Sequence, residues 1–142
     1  MNSTPWHFWL IVAVGFVWHL FGVLDYTATQ YDWGPWMAMV GGRQEMFIEG
    51  MPAWVDGAWA LSAWVGLLGV LLMAVRAGFS PLVLSVSMFA TVLVAVWLSL
   101  FSQPSLLSLA GWPALAVIWL SAAFTVLLWL YARDQHRHGV ID

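Results

Sequence analysis

Three ionisable side chains lie within long apolar stretches of the sequence: His19, Asp25 and Asp56. A charge in hydrocarbon is unfavourable, so such residues usually face the interior of a helix bundle and mark a binding site or a path for ions. An imidazole and two carboxylates could hydrogen-bond a polar molecule or take up a proton. These residues are therefore the first candidates for a functional site.

The neighbours of His19 extend this candidate site along one face of the first apolar stretch. If the stretch is helical, a rotation of 100° per residue places His19, Tyr26 and Gln30 nearly on one line. Trp18 and Asp25 lie on the adjoining line. One face of this helix is therefore polar, and we expect it to point into the protein.

The two carboxylates differ in their expected helix electrostatics. Asp56 falls in the first turns of a helix, where the positive end of the helix dipole favours an anion, so a structural role explains it adequately. Asp25 falls near the end of a helix, where the dipole disfavours an anion. It needs Arg43 from the following loop, an indole or phenol donor, or a bound proton. An ion pair that anchors the loop and a functional role both remain open for Asp25.

Composition determines the class of protein. Of the 142 residues, 63% are apolar and 8% are charged, and the chain has four arginines, no lysine and a net charge of −3. A soluble domain is about half apolar and about a quarter charged. A soluble globule, a disordered chain, a coiled coil and a nucleic-acid binder are therefore excluded. Without cysteine there is also no disulfide and no thiolate site.

Four segments are long enough to cross a membrane, which requires roughly 20 apolar residues. They cover about residues 6–26, 52–75, 81–101 and 112–131. None alternates as a barrel strand does, so the predicted class is all-α. We expect one membrane domain over residues 1–142, an antiparallel four-helix bundle. Its long loop, residues 27–51, is predicted to contain a short amphipathic helix at about 35–48.

Small and aromatic residues indicate how the helices pack. Glycine lets another helix approach closely, and four glycines are the candidates for such contacts: Gly15, Gly22, Gly66 and Gly69. Three tryptophans fall near the middle of the predicted spans: Trp18, Trp64 and Trp119. They either fill the core between helices or line an aromatic cavity.

No catalytic, metal or cofactor motif is present. The sequence contains no H-E-x-x-H, no G-x-S-x-G and no Walker loop, so we expect a protein that is not an enzyme and holds no metal or cofactor. Haem or quinone binding through His7 or His19 is a remote alternative. The two imidazoles are too far apart on one helix to ligate one iron together.

Two stretches resemble a family of small four-span bacterial membrane proteins, often automatically labelled "sugar transporter". One is Trp-His-Leu-Phe-Gly-Val-Leu-Asp-Tyr-Thr-Ala-Thr-Gln, residues 18–30, and the other is the second span with its Pro52, Trp54, Asp56 and Trp59. The family pattern favours asparagine where this chain has His19, so a titratable side chain replaces an amide. The resemblance implies four membrane helices and transport.

The first functional hypothesis is an oligomeric permease for a polar uncharged solute such as a sugar. Eight residues are its candidate solute ligands: Trp18, His19, Asp25, Tyr26, Gln30, Asp56, Trp64 and Trp119. The alternative is a non-catalytic accessory subunit that packs against a larger membrane complex. Its partners would be lipid and other subunits, and in neither case nucleic acid. Native mass measurement after gentle detergent extraction distinguishes a self-sufficient homo-oligomer from such a subunit.

The arginines predict the orientation of the chain in a bacterial inner membrane. With four spans, both termini and the turn after the second span lie on one side, which carries Arg76, Arg133 and Arg137. The other side carries Arg43 alone. Because cytoplasmic loops are enriched in basic residues, both termini should be cytoplasmic and the long loop outside.

We therefore expect a reporter that is active only in the cytoplasm to work when fused after Asp142. A reporter that is active only in the periplasm should fail at the same position. Activity measured in cells that express each fusion checks the orientation, and the reverse pattern would exchange inside and outside throughout.

Overall fold

The computed structural model describes residues 4–40 and 48–142. Within these residues the regular elements are all helical: α1 (Trp6–Gln30), α2 (Gly34–Val40), α3 (Ala53–Ala74), α4 (Ser80–Leu100) and α5 (Leu106–Arg137). The predicted all-α class is confirmed. Four of these helices, α1, α3, α4 and α5, are long and apolar enough to cross a membrane.

The helices differ from the predicted segments mainly at their ends. α1 continues to Gln30 and α5 to Arg137. The polar residues at these ends are unfavourable in hydrocarbon, but their backbone groups still form helical hydrogen bonds. α2 covers the first part of the amphipathic helix predicted at 35–48. The rest of that prediction, including Arg43, falls on residues 41–47, outside the described residues.

α5 is broken close to its start. Ser105 caps the helix by accepting a hydrogen bond from the Ser108 backbone amide at 3.2 Å. One turn later Gly111 adopts φ 73° and ψ −174°, a conformation that other residues rarely reach. Pro113 follows, and its missing N–H suits the first turn of the helix that continues to Arg137. The uninterrupted helix that continues to Arg137 therefore begins after Gly111.

The ends of the helices meet in two groups. We call the end formed by residues 4–8, 75–79 and 131–142 the terminal end. Here the His7 imidazole hydrogen-bonds the Tyr131 hydroxyl at 2.7 Å, and the Arg76 guanidinium donates to Thr4 Oγ1 at 3.2 Å. The opposite end, formed by residues 30–40, 48–56 and 101–106, is the loop end, where Gln30 bonds Asp56.

The hydrophobic core lies toward the terminal end. Its buried members come from the four long helices and from the two residues that precede Asp142: Phe8, Val12, Val70, Met73, Leu84, Leu128, Ala132, Val140 and Ile141. The chain after α5 therefore folds back onto the bundle, where the Asp142 amide donates to the Arg76 carbonyl at 3.0 Å. This end of the bundle is filled with side chains.

Close helix contacts occur at the glycines. Gly15 of α1 faces Val70 of α3 and Leu128 of α5, and Gly22 faces Ala63. A close contact between α3 and α4 occurs at Gly69. A methyl group placed there would lie 2.7 Å from Leu84 Cδ2 and 3.2 Å from the Leu84 backbone nitrogen. The backbones of α3 and α4 can therefore approach this closely only because residue 69 has no side chain.

Gly69→Ala should lower the free energy of unfolding by about 1–3 kcal/mol, because the added methyl overpacks a buried contact. The matched control is Gly57→Ala in the same helix, where a methyl would meet no atom within 4 Å. That variant should gain about 0.5–1 kcal/mol from helix propensity. Thermal unfolding of both variants in detergent measures the difference, and equal stabilities would refute the close contact of α3 with α4.

Candidate functional site

A cavity of about 750 Å³ lies among the four long helices and reaches the loop end. All four contribute to its wall, and α2 and the residues before α3 add Trp36, Ile48 and Met51. Ligand pockets commonly enclose ~300–1,000 Å³ and combine apolar walls with a few polar groups. This cavity has both properties, so it is the candidate site.

His19 lies at the deep end of the cavity, one helical turn from the packed contact at Gly15. Its side chain is only 3% exposed, and Nε2 has no hydrogen-bond partner among the described residues. The imidazole lies directly against the backbone of Gly66, where a methyl group would overlap it. An unpaired buried polar atom is uncommon in proteins and often has a functional reason.

The backbone beside His19 is not regular α-helix. Residues Leu61–Val65 of α3 form a π-helical turn, a rare arrangement that is frequently found at functional sites. Within it the Ser62 carbonyl accepts a hydrogen bond from Ser87 Oγ of α4 at 2.7 Å. Ser87 Oγ would also lie 2.6 Å from a methyl group on Gly66. Side chains from α1 and α4 therefore meet at one turn of α3.

Aromatic rings provide much of the cavity wall. Trp18 lines it and packs against Phe124 of α5, with ring centroids 4.8 Å apart. Trp36 of α2 and Trp59 of α3 line it nearer the loop end. Flat indole faces and a small number of hydrogen-bonding groups are suited to holding a ring-shaped or extended small molecule.

Asp25 lines the same cavity and accepts a hydrogen bond from the Trp36 indole nitrogen at 3.0 Å. Of the partners that the sequence suggests for Asp25, the structure therefore shows an indole donor, and Arg43 lies outside the described residues. The bond joins α1 to α2 and holds Trp36 over the cavity. In this arrangement the carboxylate anchors part of the loop and also faces the site.

Three further predicted residues form a separate cluster at the loop end. Gln30 Nε2 donates to Asp56 Oδ1 at 2.6 Å, and the Tyr26 hydroxyl lies beside the same carboxylate. The Tyr26 ring meets the Trp59 ring edge-on, with centroids 5.0 Å apart. Tyr26, Gln30 and Asp56 do not line the cavity but adjoin it through Trp59. Asp25 and Asp56 thus have different partners.

The two remaining candidates lie on the outer surface of the helices. Trp64 is 50% exposed and Trp119 is 43% exposed, and neither lines the cavity. The Trp119 indole donates to Ser99 Oγ of α4 at 3.0 Å, which satisfies its N–H. Of the three tryptophans near the middle of the predicted spans, only Trp18 therefore lines the cavity.

Several lining groups could not be identified from the sequence. Trp36 and Trp59 reach the cavity through the paths of α2 and α3. Four hydroxyls also line it: Ser62, Thr91, Ser121 and Thr125. Each donates to a carbonyl of its own helix, so the sequence suggests only a structural role, but the oxygen can still accept a bond. Among the described residues, no three His, Asp or Glu side chains are grouped to bind a metal ion.

Gly66→Ala should destabilise the protein by about 1–3 kcal/mol, because the methyl displaces the His19 imidazole. If this contact is the cause, the double variant Gly66→Ala/His19→Ala should lose less than the sum of the two single losses, by more than about 0.5 kcal/mol. Unfolding in detergent measures each loss. Gly57→Ala combined with His19→Ala is the control and should be additive, and additivity in both pairs would contradict the contact.

Comparisons of the chain with protein-family models, with curated proteins and with solved structures found no match. A role for the cavity must therefore be inferred from the chemistry and geometry of its lining.

Proposed function

We propose that the chain is a multi-pass protein of a bacterial inner membrane whose four long helices form an antiparallel bundle. The bonds that join His7 to Tyr131 and Gln30 to Asp56 support this arrangement, because each joins the start of one long helix to the end of another. The many large apolar side chains exposed on the helices suit contact with lipid. The distribution of arginines supports cytoplasmic termini, with the loop end outside.

We further propose that this protein binds a polar uncharged solute, such as a sugar, in the cavity and acts as an oligomeric permease. The observation that supports this most strongly is the cavity itself, with His19 buried at its deep end. The resemblance of residues 18–30 to the four-span family points in the same direction. The tryptophans provide stacking surfaces, and His19, Asp25 and the hydroxyls provide hydrogen bonds.

The lining favours an uncharged solute. Among the described lining residues the only carboxylate is Asp25, which already accepts a bond from Trp36, and there is no arginine. A buried anionic solute would therefore lack an opposite charge, at a large desolvation cost, and a cationic solute would meet one carboxylate that is already bonded to Trp36. A hydroxylated solute needs only hydrogen-bond partners.

Transport requires access from both sides of the membrane. The cavity reaches the loop end, whereas the terminal end is filled by the core around Val12, Val70 and Leu128. The described arrangement therefore suits loading from the loop end. Release at the other end requires the helices to separate there, and four short helices enclose little volume, so a path at a subunit interface fits this proposal.

The test is a thermal-shift screen of the detergent-solubilised protein against neutral monosaccharides, disaccharides and polyols. A ligand at 100 times its Kd should add about 2.7 kcal/mol to the free energy of unfolding. Each hit is then tested for uptake into vesicles that contain the protein. Trp18→Phe and His19→Gln should weaken both binding and uptake, because these residues line the cavity.

Trp64→Phe is the matched control, since it changes an indole on the outer surface and should leave binding and uptake unchanged. Equal loss in Trp64→Phe and Trp18→Phe would show that the cavity is not the binding site. A folded protein that binds no neutral solute, and that extracts only within a larger assembly, would favour the accessory-subunit alternative.

A further inference from the structure

Two apolar residues line the cavity and are also largely exposed on the surface of the bundle. Phe21 of α1 is 61% exposed and Val117 of α5 is 59% exposed. A residue with both properties lies at the rim of an opening. The cavity therefore has an edge between α1 and α5, in addition to its extension toward the loop end.

The contacts between α1 and α5 are consistent with such an opening. His7 meets Tyr131, Gly15 meets Leu128 and Trp18 meets Phe124, all toward the terminal end. Beyond Trp18, residues of both helices instead contribute to the cavity lining: Phe21, Gly22 and Asp25 from α1, and Val117, Ile118 and Ser121 from α5. The two helices thus close the cavity at its deep end and lie on either side of it toward the loop end.

The depth of this opening determines which medium it faces. Phe21 precedes Tyr26, the last residue of the predicted apolar segment, by five residues, which is about 7.5 Å along a helix at 1.5 Å per residue. A hydrocarbon core is about 30 Å thick. In a membrane-spanning bundle, an opening at this depth on the outer surface of two apolar helices faces acyl chains and not water.

We propose that the cavity opens sideways into the bilayer between α1 and α5, and that its ligand is an uncharged amphipath dissolved in the membrane. This inference rests on the proposed function and narrows its solute to a molecule with a hydroxyl or carbonyl group on an apolar body. The polar group lies toward the deep end, where the lining includes His19, Ser121 and Thr125. The apolar body lies along Val94, Ile118 and the rim.

The chemistry of the lining supports this class of ligand. The middle of the wall is apolar, formed by Val94, Leu98 and Ile118, and cannot satisfy the hydroxyls of a large sugar. The lining hydroxyls and His19 lie toward the deep end, whereas Asp25 and Trp36 bond each other nearer the loop end. The described lining has no arginine to hold a phosphate, so a charged phospholipid headgroup is disfavoured.

The chain has no cysteine, so a single introduced cysteine can be labelled uniquely. We choose Ser121→Cys, inside the cavity, labelled with bimane in vesicles of phosphatidylcholine. Phosphatidylcholine brominated on its acyl chains should quench this label nearly as well as a label at Phe89, an exposed apolar position of α4. Aqueous iodide should quench it much less than a label at Ser105, an exposed position at the loop end.

Two results would overturn the lateral opening. Quenching by iodide as strong as that at Ser105 would show a water-filled cavity, and this result leaves the proposed polar-solute site standing. Quenching by neither agent would show a sealed cavity or one covered by another copy of the chain. Val117→Trp should obstruct the rim and reduce quenching by brominated lipid, whereas Leu120→Trp, an exposed residue outside the lining, should not.

The ligand class is tested with glucose, octyl glucoside below its micelle concentration, and octanol, each added to vesicles that contain the unmodified protein. The change in tryptophan fluorescence, to which the lining residues Trp18, Trp36 and Trp59 contribute, should appear at a concentration at least roughly tenfold lower for octyl glucoside than for glucose, because apolar burial adds to binding. Equal responses to glucose and octyl glucoside would contradict the proposal of an amphipathic ligand and leave the proposal of a sugar site standing. No response to any of the three would overturn both proposals.

Discussion

The arrangement of the helices depends on the burial of one imidazole against a residue without a side chain. His19 of α1 lies on the backbone of Gly66 in α3, and Ser87 of α4 reaches the same turn through its bond to the Ser62 carbonyl. The π-helical turn at Leu61–Val65 shapes the backbone of α3 at this point. A buried imidazole with an unpaired nitrogen is unfavourable, so the surrounding packing must compensate for it.

This contact separates two halves of the bundle with different properties. Toward the terminal end, Gly15 lets α1 approach α3 and α5, and the apolar core that includes Ile141 fills the space. Toward the loop end, the wall residues Phe21 and Val117 flank a cavity that no side chain of the described residues fills. The same helices are thus closely packed on one side of His19 and apart on the other, which gives the molecule a cavity with one closed end.

Much of the fold follows from simple sequence patterns, but the site does not. Uninterrupted apolar runs predict the four long helices, since only helices satisfy their own backbone in lipid. Helical rotation places His19 and Asp25 on one polar side of α1. The π turn has no comparable sequence signal, because it depends on packing around Gly66. The indole that donates to Asp25 belongs to Trp36, whose position depends on the path of the loop. Trp64 lies near the middle of its predicted span and still does not line the cavity.

Solid-state NMR of the protein in lipid measures the central contact directly. With labelled histidine rings and labelled glycine α-carbons, dipolar correlations should appear for His19 with Gly66 and for His136 with Gly78, two histidine–glycine contacts between residues that are not neighbours along the chain. His19→Gln should remove the first correlation and leave the second. If the second is present and the first is absent in the unmodified protein, His19 does not lie on Gly66 and the account of the cavity is wrong.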